Sequence, residues 1–485
     1  MRTQPIKRAQ RGSPASLSTR LAPGVALEAH ASGDIVTRFH GHSFRVGKFS
    51  ARTADRVQDL RSGRLPFRSV VARTDEELYV LVRRLAEQGL VEYRLGRNGE
   101  DLVVIEPQAS DYWPQTTTIR DRDTLFLSRF AYMRRRGNEM ILESPRSGAA
   151  FKICNPQIAT GLAMLSTPHQ IKELRQQYPS FASQLAALLV DCDILLKLKN
   201  AKDSVLRAAE GDDNLVLWDF HDLLFHARST EGRHANPLGG IYPYARSISS
   251  PPAVRPSWPG KKLILRRFSV VQPESVSNFE RLLRQRHSTR NFDDQRPITL
   301  EELSRFLDGS AAVVCQGSSK MEFGTDSPPI TYAARPYPSA GASYELELYL
   351  AVNKCEGLPR GFYHYDAGEH ALVRIEALDR LLEEALMRAA SAMGAPAAPQ
   401  VLITIVARFA RVSWKYSAIA YELILKDAGA LMQTFYLMVT DMKLGGCAIG
   451  ITNIDLFARM TGIPFYVEGP VGQFAIGHSM PRPSL

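Results

Sequence analysis

Cysteine is scarce in this sequence. Five of its 485 residues are cysteine, no two of them form a C-x-x-C pair, and their number is odd. A disulfide framework is typical of an even, clustered set, and a zinc site of closely spaced pairs. We therefore expect reduced thiols, no metal site and a cytoplasmic protein.

Long apolar runs are also missing. No uncharged apolar stretch reaches the roughly 18 residues of a membrane-spanning helix, so the sequence predicts no membrane segment. Acidic residues are absent before Glu28, whereas five Lys or Arg residues precede it. A transit peptide is one interpretation. No apolar signal core follows, and we favour a disordered basic N-terminus over residues 1–30.

The net charge does not distinguish between classes of binding partner. The value of +10 suits a nucleic acid, an acidic peptide or an anionic cofactor equally. At roughly 150 residues per domain, the length predicts two to four domains.

The N-terminal half contains two similar units. The segment 73–95 has the periodicity of an amphipathic helix followed by a strand, and 137–153 predicts a hairpin that turns at 144–148. Small helices with a β-wing, used twice, predict winged-helix-like modules at 31–110 and 111–210. Such modules bind DNA through a basic helix or capture a peptide as an added strand. The predicted helix 168–189 has no dense basic face, which favours a peptide and no nucleic acid.

A change of composition separates the two halves. A short helix at 217–229 precedes a stretch rich in Pro, Gly and Ser, so 211–274 is predicted to be a lead-in helix and linker arm. From 275 to 485 the pattern is that of helices mixed with strands. Its helix at 416–443 is apolar nearly all round, which indicates burial in a core or against a partner subunit.

The stretch RQRHSTRNF, residues 284–292, concentrates Arg284, Arg286 and Arg290 around a serine, with no acid before Asp293. Arginine forks bind phosphate and carbonyl oxygens in a bidentate manner, and a hydroxyl adds a short hydrogen bond. A solvated helix face is the alternative to an anion site.

This stretch resembles the segment that opens the flavin site of nitroreductase-like flavoenzymes. The resemblance implies that Arg286 and Ser288 contact the phosphate or ribityl end of FMN, with His287 alongside. It also implies that Arg290 reaches the N1/O2 edge of the ring, where positive charge stabilises the anionic reduced flavin.

Three further stretches extend the resemblance. RPYPSAG, at 335–341, is a loop in which small residues permit close approach to a flat ring. LGGCAIG, at 444–450, ends the long apolar helix with glycines that leave backbone N–H groups accessible. The C-terminal VGQFAIGHSMPRP adds His478 and a last arginine. The implied FMN-binding residues beyond 286–290 are Pro338, Ser339, Ala340, Gly341, Gly446, Ile449, Gly450 and Arg482.

Taken together, these motifs and SWKYSAIAY at 413–421 resemble SagB-type azoline dehydrogenases, which oxidise thiazolines and oxazolines in ribosomal peptides. The resemblance implies that Lys415 and Tyr416 are the catalytic pair. Removing a hydride equivalent and a proton from an azoline requires a base. A lysine at a desolvated helix N-terminus has a lowered pKa, so Lys415 is the expected base. Tyr416 would relay the proton or orient the azoline. Ala430 departs from the family, which often has His there.

The predicted fold is therefore α+β, with a nitroreductase-like FMN domain at 275–485 preceded by tandem winged-helix-like peptide-recognition modules. The resemblance implies FMN at a homodimer interface, reoxidation by oxygen, and a precursor peptide and a cyclodehydratase as partners. Two alternatives stay open. One is a small-molecule nitroreductase that uses NAD(P)H, and the other is a non-enzymatic protein that binds peptide or DNA.

Overall fold

The structure is a computed structural model that describes residues 15–39, 42–71, 75–109, 112–115, 118–181, 183–198, 210, 212–231, 242, 245–255, 257, 259–265, 276–320 and 329–480. The chain forms two compact units that divide between Arg228 and Ser229. Within the described residues, no helix is both long and apolar enough to span a bilayer.

The N-terminal unit is built on a seven-stranded antiparallel sheet. In spatial order its strands are Leu65–Pro66, Ser16–Leu21, Val91–Arg97, Glu100–Pro107, Ala149–Ile153, Glu139–Glu143 and Tyr132–Arg136. Two three-stranded sheets accompany it, one made of Ala26–Ala29, Asp34–Phe39 and His42–Lys48, the other of His169–Gln170, Thr124–Leu127 and Leu195–Leu198. The helices are Ala51–Asp55, Val57–Ser62, Phe67–Val70, Glu76–Glu87, Pro156–Met164, Ile171–Gln177, Ser183–Asp191, Asp213–Val216 and Phe220–Ser229.

Two expectations for this unit need correction. The disorder predicted for residues 1–30 is wrong for the strands Ser16–Leu21 and Ala26–Ala29, because Leu17 and Leu27 are buried in the core. Residues 1–14 lie outside the described part. The modules predicted at 31–110 and 111–210 share the seven-stranded sheet and one hydrophobic core, so they are joined, not separate. A winged-helix character remains a prediction.

The second unit is built on a six-stranded antiparallel sheet. Its strands in spatial order are Ala371–Ile375, Gly361–Asp366, Leu346–Val352, Val401–Arg408, Glu468–Gly477 and Gly445–Ile449. Shorter strand pairs are Cys315–Lys320 with Pro329–Ala334 and Ile298–Thr299 with Cys355–Glu356. The helices are Asn278–Gln285, Leu300–Ala311, Asp379–Met393, Phe409–Ser413, Ala420–Asp441 and Ile454–Thr461, with a 3-10 turn at Ala340–Ala342.

Helices cover this sheet in layers. Helix Ala420–Asp441 packs on the strands Gly445–Ile449 and Glu468–Gly477, where Phe435 meets Phe474 at 5.3 Å between ring centroids. Helices Asp379–Met393 and Ile454–Thr461 contribute Leu386 and Phe457 to a separate core cluster that also contains residues of the central strands. The long helix is therefore an inner wall of the domain, as its apolar sequence predicts.

Candidate functional site

The RQRHSTRNF stretch leaves helix Asn278–Gln285 and runs to the edge strand Gly445–Ile449. The Thr289 N–H donates to the Gly446 carbonyl at 2.8 Å, and the Thr289 side chain is buried against Gly445. A Cβ at Gly445 would lie 2.7 Å from the Thr289 methyl group, so glycine is required for this contact. Thr289 thus anchors the stretch, and Ser288 and Arg290 flank that anchor.

Tyr436, on the long helix, completes this arrangement. Its hydroxyl lies 2.7 Å from Ser288 Oγ and accepts a hydrogen bond from the Ala448 N–H at 2.9 Å. The Arg286 guanidinium lies over its ring, 5.0 Å from the centroid. Sequence reasoning missed Tyr436, because it treated this helix as uniformly apolar. A hydroxyl on that apolar face was the available signal. We call Arg286, Ser288, Arg290 and Tyr436 the anion cluster.

The charge of the anion cluster is uncompensated. Among the described residues, no carboxylate forms an ion pair with Arg286 or Arg290. Arg286 is half-buried and Arg290 is exposed. Two guanidinium groups beside a hydroxyl and without an acidic partner suit a bound anion such as a phosphate. The predicted residue His287 is exposed, with Nδ1 3.0 Å from the Gln285 carbonyl oxygen.

The glycines after the long helix are placed differently from one another. Gly446 and Ile449 are buried in the edge strand, and a Cβ at Gly446 would meet Phe474 at 2.6 Å. Gly446 therefore faces the core. Gly450 is exposed, and nothing lies within 4 Å of a Cβ placed there.

Arg482 lies outside the described residues. The His478 ring, proposed from sequence as a phosphate contact, is instead 3.1 Å from Glu302 in the capping box of helix Leu300–Ala311.

The predicted catalytic pair and the predicted loop meet in space. Lys415 Nζ donates to the Gly341 carbonyl at 3.0 Å. Gly341 has φ +55°, and a Cβ there would lie 2.3 Å from Lys415 Nζ and 2.4 Å from the Tyr416 hydroxyl. Glycine is therefore needed both for the backbone conformation and for the close approach. We call Pro338–Gly341 with Lys415 and Tyr416 the loop site.

The surroundings of Lys415 differ from the sequence expectation. Lys415 is exposed, and the long helix begins at Ala420, beyond it. The N–H groups of Lys415 and Tyr416 both donate to the Val412 carbonyl, at 3.0 and 2.9 Å, so they close the short helix Phe409–Ser413. A helix C-terminus favours a positive charge. The expected desolvation at a helix N-terminus is therefore wrong for this structure.

Buried carboxyl groups lie beneath the loop site. Asp427 Oδ2 accepts from the Ala340 N–H at 2.8 Å and from Ser339 Oγ at 3.0 Å. Glu345 is fully buried next to it, with Oε2 3.3 Å from the same hydroxyl. Burial raises the pKa of Glu345 to about 7, and the nearby Asp427 carboxyl adds to this rise. Sequence reasoning missed both acids, since nothing local links them.

The anion cluster and the loop site lie on opposite faces of the long helix. Tyr436 belongs to the first and Asp427 contacts the second, and nine residues separate them. At 3.6 residues per turn, nine residues are two and a half turns, or roughly 14 Å along the axis. Within one chain, the two sites therefore lie on opposite sides of this helix.

Comparison with known proteins identifies the families that this chain resembles. The model of the nitroreductase family matches residues 283–478, and that of the cyanobactin oxidase ThcOx matches residues 125–235. A protein of Methanocaldococcus jannaschii named as a nitroreductase is 32% identical over 172 residues, which are 35% of this chain and 77% of that protein. The chain belongs to the nitroreductase family. It is therefore an oxidoreductase, and proteins of this family are flavoproteins.

Solved structures give a more distant likeness. A nitroreductase from Anabaena variabilis is 26% identical over 36% of this chain and 34% of that one, with a TM-score of 0.31, so this chain spans about a third of it. The E. coli microcin synthetase McbBCD complex with truncated pro-MccB17 bound is 17% identical over 56% of this chain and 97% of that one, with a TM-score of 0.40.

The order of the two family matches confirms two predictions. The ThcOx match precedes the nitroreductase match, which supports the resemblance to SagB-type azoline dehydrogenases. The α+β fold class, with a nitroreductase-like domain at the C-terminal end and separate strand and helix elements before it, is also confirmed.

Proposed function

We propose that this protein is an FMN-dependent azoline dehydrogenase that oxidises thiazolines or oxazolines in a ribosomally made peptide. The observation that carries the proposal is the contact between Lys415 and Gly341, because it joins a base to a loop that a flat ring can approach. The cyanobactin oxidase match supports a modified peptide as the substrate.

The anion cluster fits the phosphate end of FMN. Arg286 and Arg290 supply two positive charges without carboxylate partners among the described residues, and Ser288 supplies a hydroxyl that Tyr436 orients. Charge-assisted hydrogen bonds of this kind are about twice as strong as neutral ones. Bound FMN would supply a hydride acceptor for the azoline ring, with oxygen as the final electron acceptor.

Lys415 would accept the proton that the azoline loses. Its side chain is exposed in the free protein, so it is accessible to a peptide that covers the loop site. Tyr416 lies beside it, with the lysine nitrogen 5.3 Å from the ring centroid, and would orient the substrate ring or relay the proton. Gly341 leaves the space in which both side chains meet.

The opposite directions of the two sites favour a homodimer. A flavin held by the anion cluster of one protomer would meet the loop site of its partner, so each active centre would use both chains. Mixing an Arg286→Gln/Arg290→Gln variant with a Lys415→Ala variant tests this directly. We expect each variant alone to be inactive and the mixed dimers to recover activity. No recovery in mixed dimers, verified by differential tags, would contradict the shared centre.

Peptide capture is proposed for the N-terminal unit. Strand Leu65–Pro66 pairs with only Ser18 and Thr19 of its neighbour, and a groove of about 820 Å³ lined by Phe67, Val71 and Trp113 lies alongside. An extended leader peptide could add there as a strand. Val71→Glu should weaken peptide binding about tenfold in calorimetry, whereas Val80→Glu, at another exposed valine, should not. Docking of a cyclodehydratase would use the same unit.

The decisive experiment compares Lys415→Ala with Lys426→Ala, a matched change at an exposed lysine paired with Glu422. Mass spectrometry of an azoline peptide should show a loss of about 2 Da per ring with wild type and Lys426→Ala. Lys415→Ala should oxidise the ring about 10²–10⁴-fold more slowly while retaining FMN. An unchanged rate of ring oxidation in Lys415→Ala would show that Lys415 is not the base.

A nitroreductase acting on small molecules with NAD(P)H is the second candidate, and the family match itself favours it. The two functions separate in an anaerobic absorbance experiment. A dehydrogenase of azolines should lose its flavin colour with the azoline peptide and keep it with NAD(P)H. The reverse pattern would support the small-molecule enzyme.

A further inference from the structure

Glu345 and Asp427 form a buried pair of acids under the loop site. Glu345 has no exposed surface, and Asp427 is 6% exposed. Among the described residues, neither carboxyl group forms an ion pair with a Lys, Arg or His side chain. Two like charges in such a setting repel strongly, so both groups are not expected to be ionised at once.

The hydrogen bonds around Ser339 show which group holds a proton. Ser339 Oγ accepts from the Tyr344 N–H at 2.9 Å and approaches Asp427 Oδ2 at 3.0 Å and Glu345 Oε2 at 3.3 Å. A hydroxyl has a single hydrogen to donate. If it donates to Asp427, the contact with Glu345 is favourable only when the glutamic acid donates its own proton.

Asp427 is the better acceptor of the two. Its Oδ2 receives the Ala340 N–H in addition to the serine hydroxyl. Glu345 Oε1, by contrast, is buried without any hydrogen-bond partner among the described residues. An unsatisfied oxygen costs far less on a neutral carboxylic acid than on a carboxylate. The hydrogen bonds therefore place the proton on Glu345.

We propose that Glu345 and Asp427 share one proton across Ser339, and that this pair positions the Gly341 carbonyl against the Lys415 ammonium. The positioning role rests on the proposed function, whereas the shared proton does not. Glu345 and Asp427 are positioning residues, because they act on Lys415 through the loop.

The loop needs such support. Gly341, Ala342 and Tyr344 all have positive φ, at 55°, 52° and 45°, and the last two are unfavourable for residues with a side chain. The N–H groups of Ala340 and Tyr344 are held by Asp427 and Ser339 respectively. Loss of the shared proton would place a second negative charge in the pair and loosen both contacts.

Charged and titratable groups of other elements also lie near the pair. Arg411, in helix Phe409–Ser413, donates to the Ser343 carbonyl at 2.9 Å, and Lys415 and Tyr416 lie against Gly341. The remaining groups belong to the same strand and the preceding segment. Tyr337 is buried, and burial raises the pKa of its hydroxyl well above the usual range. Arg335 and Glu347 lie near that tyrosine with opposite effects on its pKa. Neither interacts with Glu345 as closely as Asp427 does.

A measurement of stability against pH tests the shared proton without using activity. The pKa of Glu345 is raised in the folded chain, so its contribution to stability is fully present below the unfolded pKa and is lost as pH rises through about 7. Glu345→Gln mimics the protonated acid at every pH. The folding constant of wild type relative to Glu345→Gln should therefore fall about tenfold per pH unit between about pH 5 and pH 7.

Two further variants test whether the pH dependence comes from this pair of acids. Glu422→Gln removes an exposed acid from the same long helix, and its curve of folding constant against pH should run parallel to that of wild type. Asp427→Asn removes the neighbouring charge, so Glu345 ionises more easily in the folded chain and the fall, measured against Asp427→Asn/Glu345→Gln, should end at a lower pH. Parallel curves for wild type and Glu345→Gln, or no movement in Asp427→Asn, would overturn the shared proton.

The positioning role is tested by the rate of azoline oxidation. The rate of wild type relative to Glu345→Gln should fall several-fold between pH 7 and pH 8.5, with FMN retained in both. A ratio that does not change with pH would overturn the positioning role. If wild type itself oxidises no azoline, the proposed function fails, while the stability curves still decide whether the pair holds a proton.

Discussion

Two arginine-rich stretches of this chain have opposite surroundings. In Tyr132–Arg136, Arg134 pairs with Glu143 at 2.7 Å, and Arg136 pairs with Glu106 at 2.6 Å and Glu139 at 3.0 Å. In residues 284–292, Arg286 and Arg290 meet no carboxylate among the described residues, and Arg286 rests on the Tyr436 ring. Guanidinium groups with acidic partners stabilise a sheet, whereas those without them are available to a ligand. The presence of acidic partners, and not the number of arginines, separates the structural arginines from those available to a ligand.

The largest expected effect comes from neutralising the anion cluster. Arg286→Gln/Arg290→Gln should raise the Kd for FMN about 100-fold or more, because each charge-assisted hydrogen bond contributes about 1.5–3 kcal/mol. Flavin fluorescence during titration of the apoprotein measures this. Arg135→Gln, at an exposed arginine of the other stretch, is the control. Equal affinities for FMN in wild type and both variants would show that the two arginine-rich stretches do not differ in ligand binding.

Removing a compensated arginine should affect stability instead. Arg136→Met leaves Glu106 and Glu139 without their shared partner, and we expect a loss of about 1–2 kcal/mol in the free energy of unfolding, with FMN affinity unchanged. Urea denaturation measures the loss. A weaker FMN complex in this variant would show that the two stretches are not independent.

The same ion pairs predict a pH dependence. Hydrogen bonds from Lys152 and Arg136 lower the pKa of Glu139 below 4.5, so its contribution to stability is present above that pH and is lost as pH falls through the lower value. The difference in stability between wild type and Arg136→Met should therefore shrink on acidification below about pH 4.5. A difference that stays constant down to pH 3 would mean that Glu139 does not contribute.

Tyr436→Phe tests how much the Tyr436 hydroxyl contributes to FMN binding by the anion cluster. The change removes the hydroxyl that joins Ser288 to the Ala448 N–H but keeps the ring under Arg286. One lost hydrogen bond of about 1 kcal/mol corresponds to a rise of roughly fivefold in the Kd for FMN. Tyr79→Phe, at an exposed tyrosine of the N-terminal unit, is the matched control for binding. A larger effect from the control would place the phosphate elsewhere.

The smallest effect should come from salt. Raising ionic strength from about 0.05 to 0.5 M should weaken FMN binding by about two- to threefold, because Arg290 is exposed and salt screens exposed charges. The half-buried Arg136 pairs should respond less in urea denaturation. FMN binding that does not respond to salt would indicate that the exposed arginine takes no part.

Much of the fold could be predicted from local pattern. The helix predicted within 73–95 is present as Glu76–Glu87, and the hairpin predicted at 137–153 is present as the paired strands Glu139–Glu143 and Ala149–Ile153. Helical periodicity and turn residues act within a few positions, so a short stretch of sequence reveals them. The apolar helix predicted at 416–443 is present as Ala420–Asp441. The strands Cys315–Lys320 and Pro329–Ala334 were missed, since none of their described side chains is buried and the pair therefore has no core-facing pattern.

The sites were predicted unevenly for the same reason. The flavin motif, the loop 338–341 and the pair Lys415–Tyr416 are contiguous in sequence, so a family resemblance could find them. The environment of Lys415 was not predictable, because the start of a helix can shift by several residues when tertiary contacts compete with propensity. Its role and those of the FMN-binding residues remain predictions for the experiments above.

By itself, the sequence determined the order of the motifs, the apolar long helix and the local positive charge at 284–290, because these depend on neighbouring residues. Only the tertiary structure decided that this charge meets no acid among the described residues while that of Tyr132–Arg136 does. It also decided that Ser339 and Asp427, 88 residues apart, share a hydrogen bond next to Glu345. Such contacts depend on how distant segments pack, and packing follows from the whole chain rather than from any short stretch of it.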